Sequence, residues 1–329
     1  MLETLEVQDL IGDGLIPSDA LGAAGMNAHV VDALVRRGEL RRLRRGWYVL
    51  STTWDSAGPD GKYRLFVRAT AASAQRPLML SHHSAAALHG LPLIGSWPET
   101  VHALVPDAQG GSSHRLLTSH RGVADPQSTF INGVAVTGLA RTVVDMATRC
   151  SFLTSVTMID HVLNPENGHV GHAREPGMPD DGLITKESLL RELEFVHPRT
   201  GRYAAERAIA FANGLAANAG ESLGRVRFEE LGFEIPELQV RFDVAGRTYY
   251  VDYFWRGVRK IGEFDGHIKY TRAAVMNGTD VVGVVLAEKH RESLLRPVVY
   301  SFDRWGWDLA LNATAFYRFL RERDVPRAR

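Results

Sequence analysis

Acidic side chains at strand spacing are the first chemistry in this chain. Asp252 lies in Tyr250-Val-Asp-Tyr-Phe-Trp255, and Glu263 and Asp265 lie in Ile261-Gly-Glu-Phe-Asp-Gly266. The first stretch is β-branched and aromatic and predicts a strand. Arg256-Gly257 predicts a short turn, and Val258 to Asp265 the returning strand. Such a hairpin sets Asp252 beside Glu263, and a two-residue spacing puts Glu263 and Asp265 on one face. Carboxylates crowded onto one spot repel each other unless a divalent cation sits between them, and oxygen ligands suit Mg2+ or Mn2+. A metal there would lower the pKa of a bound water and stabilise charge on a scissile phosphate, which is nuclease chemistry. The plainer alternative is a hairpin whose acids face water.

The second chemical feature is basic. The chain has 329 residues and equal numbers of Lys plus Arg and Asp plus Glu, 38 of each. That zero net charge hides the run Arg36-Arg-Gly-Glu-Leu-Arg-Arg-Leu-Arg-Arg45. Ser18 as a cap before Asp19 to Ala24, and Asn27 as a cap before Ala28 to Arg37, predict two short helices joined at Gly25. Glu39 to Leu50 predicts a β-hairpin turning at Arg45-Gly46, with Leu40, Leu43, Tyr48 and Leu50 inward. Two helices and a hairpin are the order of a small winged helix-turn-helix. Arg36, Arg37, Arg41, Arg42, Arg44 and Arg45 would then reach a phosphate backbone, releasing counterions but reading no sequence. Base reading would fall to the start of the second helix, at Asn27 and His29. A solvated basic face, or a wing that docks a protein, is the competing reading.

The elements that position these residues divide the chain into 1–55, 56–217 and 218–329. Together they predict a multidomain α+β protein with a winged helix-turn-helix, a mixed α/β middle domain and a compact C-terminal α/β domain. In the middle, Lys62 to Gln75, Ser81 to His89, Ala140 to Arg149, Ser151 to Leu163, Lys186 to Val196 and Gly201 to Asn213 read as helices. Glu99 to Val105, Arg115 to Ser119 and Gly133 to Val136 read as strands, and Asn164 to Gly182 as a flexible insertion. His82 and His89 share a helical face, but no ligand partner follows at metal spacing, so a structural role is expected. In the last domain a helix Glu221 to Glu230 precedes three antiparallel strands, a helix near Val282 to Arg296, a strand and a helix Asp308 to Arg323. The single cysteine, Cys150, excludes an internal disulfide framework and argues for a reducing compartment. With no secretory segment and no span of membrane length, a cytoplasmic protein is expected.

Arg42-Leu-Arg-Arg-Gly-Trp-Tyr-Val-Leu50 and Ser81-His-His-Ser-Ala-Ala-Ala-Leu-His-Gly-Leu-Pro-Leu93 resemble the AbiEi-type antitoxins of type IV toxin–antitoxin systems. That likeness covers roughly the first 215 residues. It implies a DNA-binding transcriptional regulator that represses its own promoter and counteracts a nucleotidyltransferase-like toxin. Glu221-Ser-Leu-Gly-Arg-Val-Arg-Phe, Val251-Asp-Tyr, Glu263-Phe-Asp-Gly266 and Ala287-Glu-Lys-His-Arg-Glu292 are similar to very-short-patch-repair-type domains of the PD-(D/E)XK superfamily. This second likeness implies a restriction-endonuclease-like fold. It makes Glu221 the helix acid, Asp252 the strand acid and Glu263 the acid of the acid-x-Lys pair, with Asp265 as a further ligand. The pair's lysine position is occupied by Asp265, so Lys269 or Lys289 would have to reach in. An Mg2+- or Mn2+-dependent DNA endonuclease is therefore the alternative function, and a toxin-docking protein a third.

Overall fold

The computed structural model describes residues 14–105, 112–114, 116–122, 125, 127–167, 184–196, 200–266 and 289–328. The chain forms two compact units, one from Met1–Ser151 with His169–Ala210, the other from Phe152–Gly168 with Phe211–Arg329. Among the described residues, three separate sheets and many helices make it a multidomain α+β protein. Among the described residues no helix is long and apolar enough to cross a membrane.

In the first unit, β1 (Ile16–Pro17), α1 (Ser18–Ala23), α2 (Ala28–Arg36), β2 (Leu40–Arg44) and β3 (Trp47–Leu50) come first, with the strands ordered β1-β3-β2. Gly25 and Gly38, with φ of +80° and +74°, follow the two helices in the left-handed conformation that ends a helix at least cost. Successive residues of a strand face opposite ways, and β3 uses both faces. Tyr48 and Leu50 pack with Leu21, Val31, Leu34 and Leu40. Val49 packs with Leu15, Leu65 and Ala69, beside Trp47 and Trp54. The expected boundary after residue 55 therefore falls inside a helix, α3 (Ser51–Ser56), at a strand shared by two cores.

α4 (Pro59–Ala72) leads to β4 (Met79–Leu80), α5 (His82–Leu88), β5 (Val101–Val105), β6 (Ser112–His114), β7 (Leu117–Arg121), β8 (Thr129–Ile131), β9 (Val134–Val136) and α6 (Leu139–Ala147). These strands form a mixed six-stranded sheet, β6-β7-β5-β4-β9-β8, whose core joins Tyr63, Val67, Leu80, Leu88, Val101 and Val136. The two- and three-residue strands β4, β6 and β8 are too short to carry a period, which is why the sequence does not announce them. α7 (Phe152–Leu163) belongs to the second unit, although its sequence position predicts a place in the middle domain. α8 (Lys186–Phe195), capped by Thr185, and α9 (Arg202–Phe211) follow. Most of the insertion expected at 164–182 lies outside the described residues.

The second unit continues with α10 (Ala219–Glu230), β10 (Glu237–Val244), β11 (Arg247–Trp255), β12 (Lys260–Phe264), helical residues 289–295, β13 (Ser301–Trp305), α11 (Trp307–Leu311) and α12 (Ala313–Glu322). The sheet order is β10-β11-β12-β13, antiparallel except for the parallel pair β12–β13. Phe254, Ile261 and Phe302 pair across three strands and pack with Val251 and Leu295. The ring of Phe228 on α10 packs edge-on against Tyr253, Trp255 and Trp305. In place of the one C-terminal helix expected, there are two. The chain breaks at Asn312, whose side chain caps α12 by accepting from Ala315 N at 3.0 Å.

Candidate functional site

Each unit carries one of the features that the sequence singles out. In the first, Asn27 accepts hydrogen bonds from His29 N at 3.0 Å and Val30 N at 3.1 Å. Its side chain is thereby committed to starting α2, although it is exposed, as is His29. Arg36 and Arg37 lie at the far end of that nine-residue helix, about 13 Å away at 1.5 Å rise per residue. Arg37 pairs with Glu39 at 2.6 Å. Gly46, with φ +76°, completes the two-residue turn between Arg44 and Trp47. Arg41, Arg42 and Arg45 are exposed on the hairpin, with Arg41 lying 5.3 Å from the Trp54 ring.

Arg44 differs from its neighbours. A bulge between Arg42 and Arg44 turns it inward, where it lies 3.9 Å from the Phe66 ring centre. Its Nε donates to Thr70 Oγ1 at 2.7 Å and its Nη1 to the Leu43 carbonyl at 2.8 Å. Burial lowers the pKa of this guanidinium. Arg44 thus pins the hairpin to α4, and the phosphate contact expected of it is not what its side chain is arranged to make.

In the second unit, α10 approaches the sheet through two glycines four residues apart. A Cβ on Gly220 would sit 2.0 Å from the Phe264 ring, and one on Gly224 2.4 Å from the Tyr253 hydroxyl. That close contact lets Tyr253 Oη donate to the Glu221 carbonyl at 2.6 Å. It also buries Glu221 near the strand acids. Asn218 caps the helix and gives its amide to Glu221 Oε1 at 2.6 Å, while Ala217 N and Gln239 Nε2 donate to Oε2 at 2.7 and 3.1 Å. Gln239 stands between the β10–β11 pairs Leu238↔Tyr253 and Val240↔Val251, across from Asp252. It adopts φ +50°, a left-handed backbone that a residue with a side chain enters at a cost.

β11 and β12 pair as Tyr253↔Gly262 and Phe254↔Ile261, and that register carried one residue further sets Asp252 across from Glu263. The expected juxtaposition of these acids is present, with Asp252 Oδ2 accepting from Phe264 N at 2.8 Å. Burial, then the charge of Asp252, pushes the Glu221 carboxyl up to about 8, with Glu263 adding to the shift. Burial likewise raises Glu263 to about 7 against the pull of Arg291, and Asp252 pushes the same way.

Two residues that no local sequence pattern singles out complete the site. Arg291 donates to Glu263 Oε1 and, at 3.0 Å, to the Tyr250 carbonyl. Arg304, paired with Glu263 in the β12–β13 register, lies 3.0 Å from Glu263 Oε2. Arg291 lies two residues beyond Lys289, which is exposed at the start of the helical stretch. Lys269 falls outside the described residues. Asp265 ends the β12 edge, its N–H donating to the Trp305 carbonyl at 2.7 Å, and with Arg304, Trp307 and Asp308 it lines a cleft of about 390 Å3. As arranged, the carboxylates do not fit a divalent cation. Both oxygens of Glu221 and both of Glu263 are engaged by N–H donors. Among the described residues no group of three His, Cys, Asp or Glu side chains is placed to hold a metal ion.

The first unit also buries imidazoles, among them His82 and His89. His89 Nε2 lies 2.8 Å from the Thr137 carbonyl. His82 stacks on His120 at 3.6 Å between ring centres, and His120 Nε2 meets His102 Nδ1 at 2.9 Å. Burial lowers the pKa of His82, His102 and His120, so these rings pack as neutral groups at neutral pH. Cys150 is 4.0 Å from His83 Nε2, and burial raises its thiol to about 11, which keeps it protonated at neutral pH.

No family model and no curated protein matches this chain. Among solved structures, the crystal structure of the RV2827C protein from Mycobacterium tuberculosis is similar at a TM-score of 0.39 and 16% identity, over 64% of this chain and 75% of that one.

Proposed function

We propose that this chain is a DNA-binding transcriptional regulator of the AbiEi antitoxin kind, with a winged helix-turn-helix near its N-terminus and a restriction-endonuclease-like C-terminal domain. The observation that carries the reading is the exposure of Arg36, Arg41, Arg42 and Arg45 at the end of α2 and on the β2–β3 hairpin. Phosphates would meet these arginines, and His29 at the start of α2 would lie toward the bases. Its own promoter is the natural DNA partner and a nucleotidyltransferase-like toxin the protein partner. Gel retardation of a promoter fragment across a salt series tests this. Retardation that weakens steeply with salt, and is abolished in Arg41→Ala/Arg42→Ala/Arg45→Ala, supports the reading. Failure of the wild type to retard DNA at low salt sinks it.

A metal-dependent DNA endonuclease is the second reading, favoured by the nearness of Asp252 to the buried carboxyls of Glu221 and Glu263. Cleavage of plasmid by the wild type, abolished in Asp252→Ala and Glu263→Ala, would make this the primary function.

A further inference from the structure

We propose that Arg291 and Arg304 form a guanidinium lock on the carboxylate cluster, so that the wild-type protein takes up no divalent cation at Glu221, Asp252 and Glu263. The buried carboxyls of Glu221 and Glu263, with the half-buried Asp252 beside them, need positive charge or protons. A nuclease of this architecture would supply a metal, and here two arginines reach the acid that would be its central ligand. Arg291 covers Glu263 Oε1 from the helical residues 289–295, and Arg304 covers Oε2 from β13. A guanidinium is always charged and donates in a fixed fork, so it satisfies a carboxylate as fully as a cation does. The lock is anchored on both sides. Arg291 also donates to the Tyr250 carbonyl, and Arg304 Nε lies 3.6 Å from Glu292, which in turn pairs with Arg296. Sheet register adds a constraint, because Glu263 and Arg304 are partners in a parallel ladder, which holds their backbones side by side. The lock is independent of DNA binding by the first unit, so either idea can fail while the other stands. It is compatible with the nuclease reading only if the metal enters after the arginines are drawn away.

Manganese is the probe, because the room-temperature EPR signal of the hydrated ion falls when it binds protein. The full-length wild type should leave the amplitude unchanged, and folded Arg291→Ala/Arg304→Ala should lower it in proportion to the protein added. Asp252→Asn placed in that double variant should restore the amplitude, since an amide keeps the Phe264 hydrogen bond but is a poor ligand. Melting curves establish that the variants fold. Arg291→Ala alone, altering a partly exposed side chain, is the second arm, with the same fall in amplitude expected at higher protein concentration. A signal that the wild type lowers and Asp252→Asn restores would overturn the proposal. Folded double and single variants that both leave the signal untouched would overturn it equally.

Discussion

Among single residues, Glu221 has the sharpest consequence. Its folded-state carboxyl is raised from 4.5 to about 8 by burial and by Asp252. The native protein therefore keeps a proton that the unfolded chain releases in the ordinary carboxylate range. Stability must fall as pH rises from that range through about 8, and Glu263, raised to about 7, adds to the same slope. Glu221→Gln removes one contribution, so its melting temperature should gain on the wild type between about pH 5 and about pH 9. Parallel melting curves for the two proteins across that window would refute the assignment. Asp252 and Glu263 are legible in the sequence because the side-chain period of a hairpin is short-range and fixed. Arg291 and Arg304 are not. Each reaches Glu263 only through the long return of the chain to a parallel strand, which no local pattern encodes.

At the scale of elements, α10 shows what an amphipathic reading leaves out. An amphipathic helix buries one stripe, yet Gly220 to Val226 is buried without a break. The helix has the sheet on one side and α7 on another. Arg225 makes the second contact, donating to both oxygens of Asp160 at 2.8 and 2.7 Å with its guanidinium 4.3 Å from the Phe211 ring. Asp160 also accepts from Ser222 Oγ and Asn213 N. An Asp and an Arg of opposite charge on two helices look like surface residues in a sequence, and their burial together ties α7 to α10 within the second unit. Asp160→Ala leaves that guanidinium buried without its acid and should cost about 3–5 kcal/mol in urea unfolding. A cost below about 1 kcal/mol would show the pair to be dispensable. Gly220→Ala tests the packing on the sheet. Its methyl must displace the Phe264 ring, a cost of about 1–3 kcal/mol for overpacking, and unchanged stability would mean that α10 has room to move away from the ring.

For the whole molecule, net charge is silent about DNA and the placement of each arginine decides the matter. The run from Arg36 to Arg45 looks uniform in the sequence, and the fold makes it unequal. Arg41, Arg42 and Arg45 face solvent, while Arg44 is spent on Phe66, Thr70 and the Leu43 carbonyl. Single alanine variants should therefore separate into two kinds. Arg41→Ala, Arg42→Ala and Arg45→Ala should leave melting temperature nearly unchanged. Each should weaken DNA binding and reduce the slope of log affinity against log salt by up to about 0.9 for every phosphate its guanidinium neutralises. Arg44→Ala should instead lower the melting temperature, because it removes a cation–π interaction and a hydrogen bond that fix the hairpin against α4, worth together about 1–3 kcal/mol. Its salt slope should match that of the wild type under conditions where both are folded. If Arg44→Ala lowers the salt slope as the exposed arginines do while melting like the wild type, then the side chain leaves Phe66 to meet the backbone. The hairpin would in that case change shape on DNA. If none of the four variants alters the slope, DNA binding has to be sought outside this hairpin, and its arginines become a surface for a protein partner.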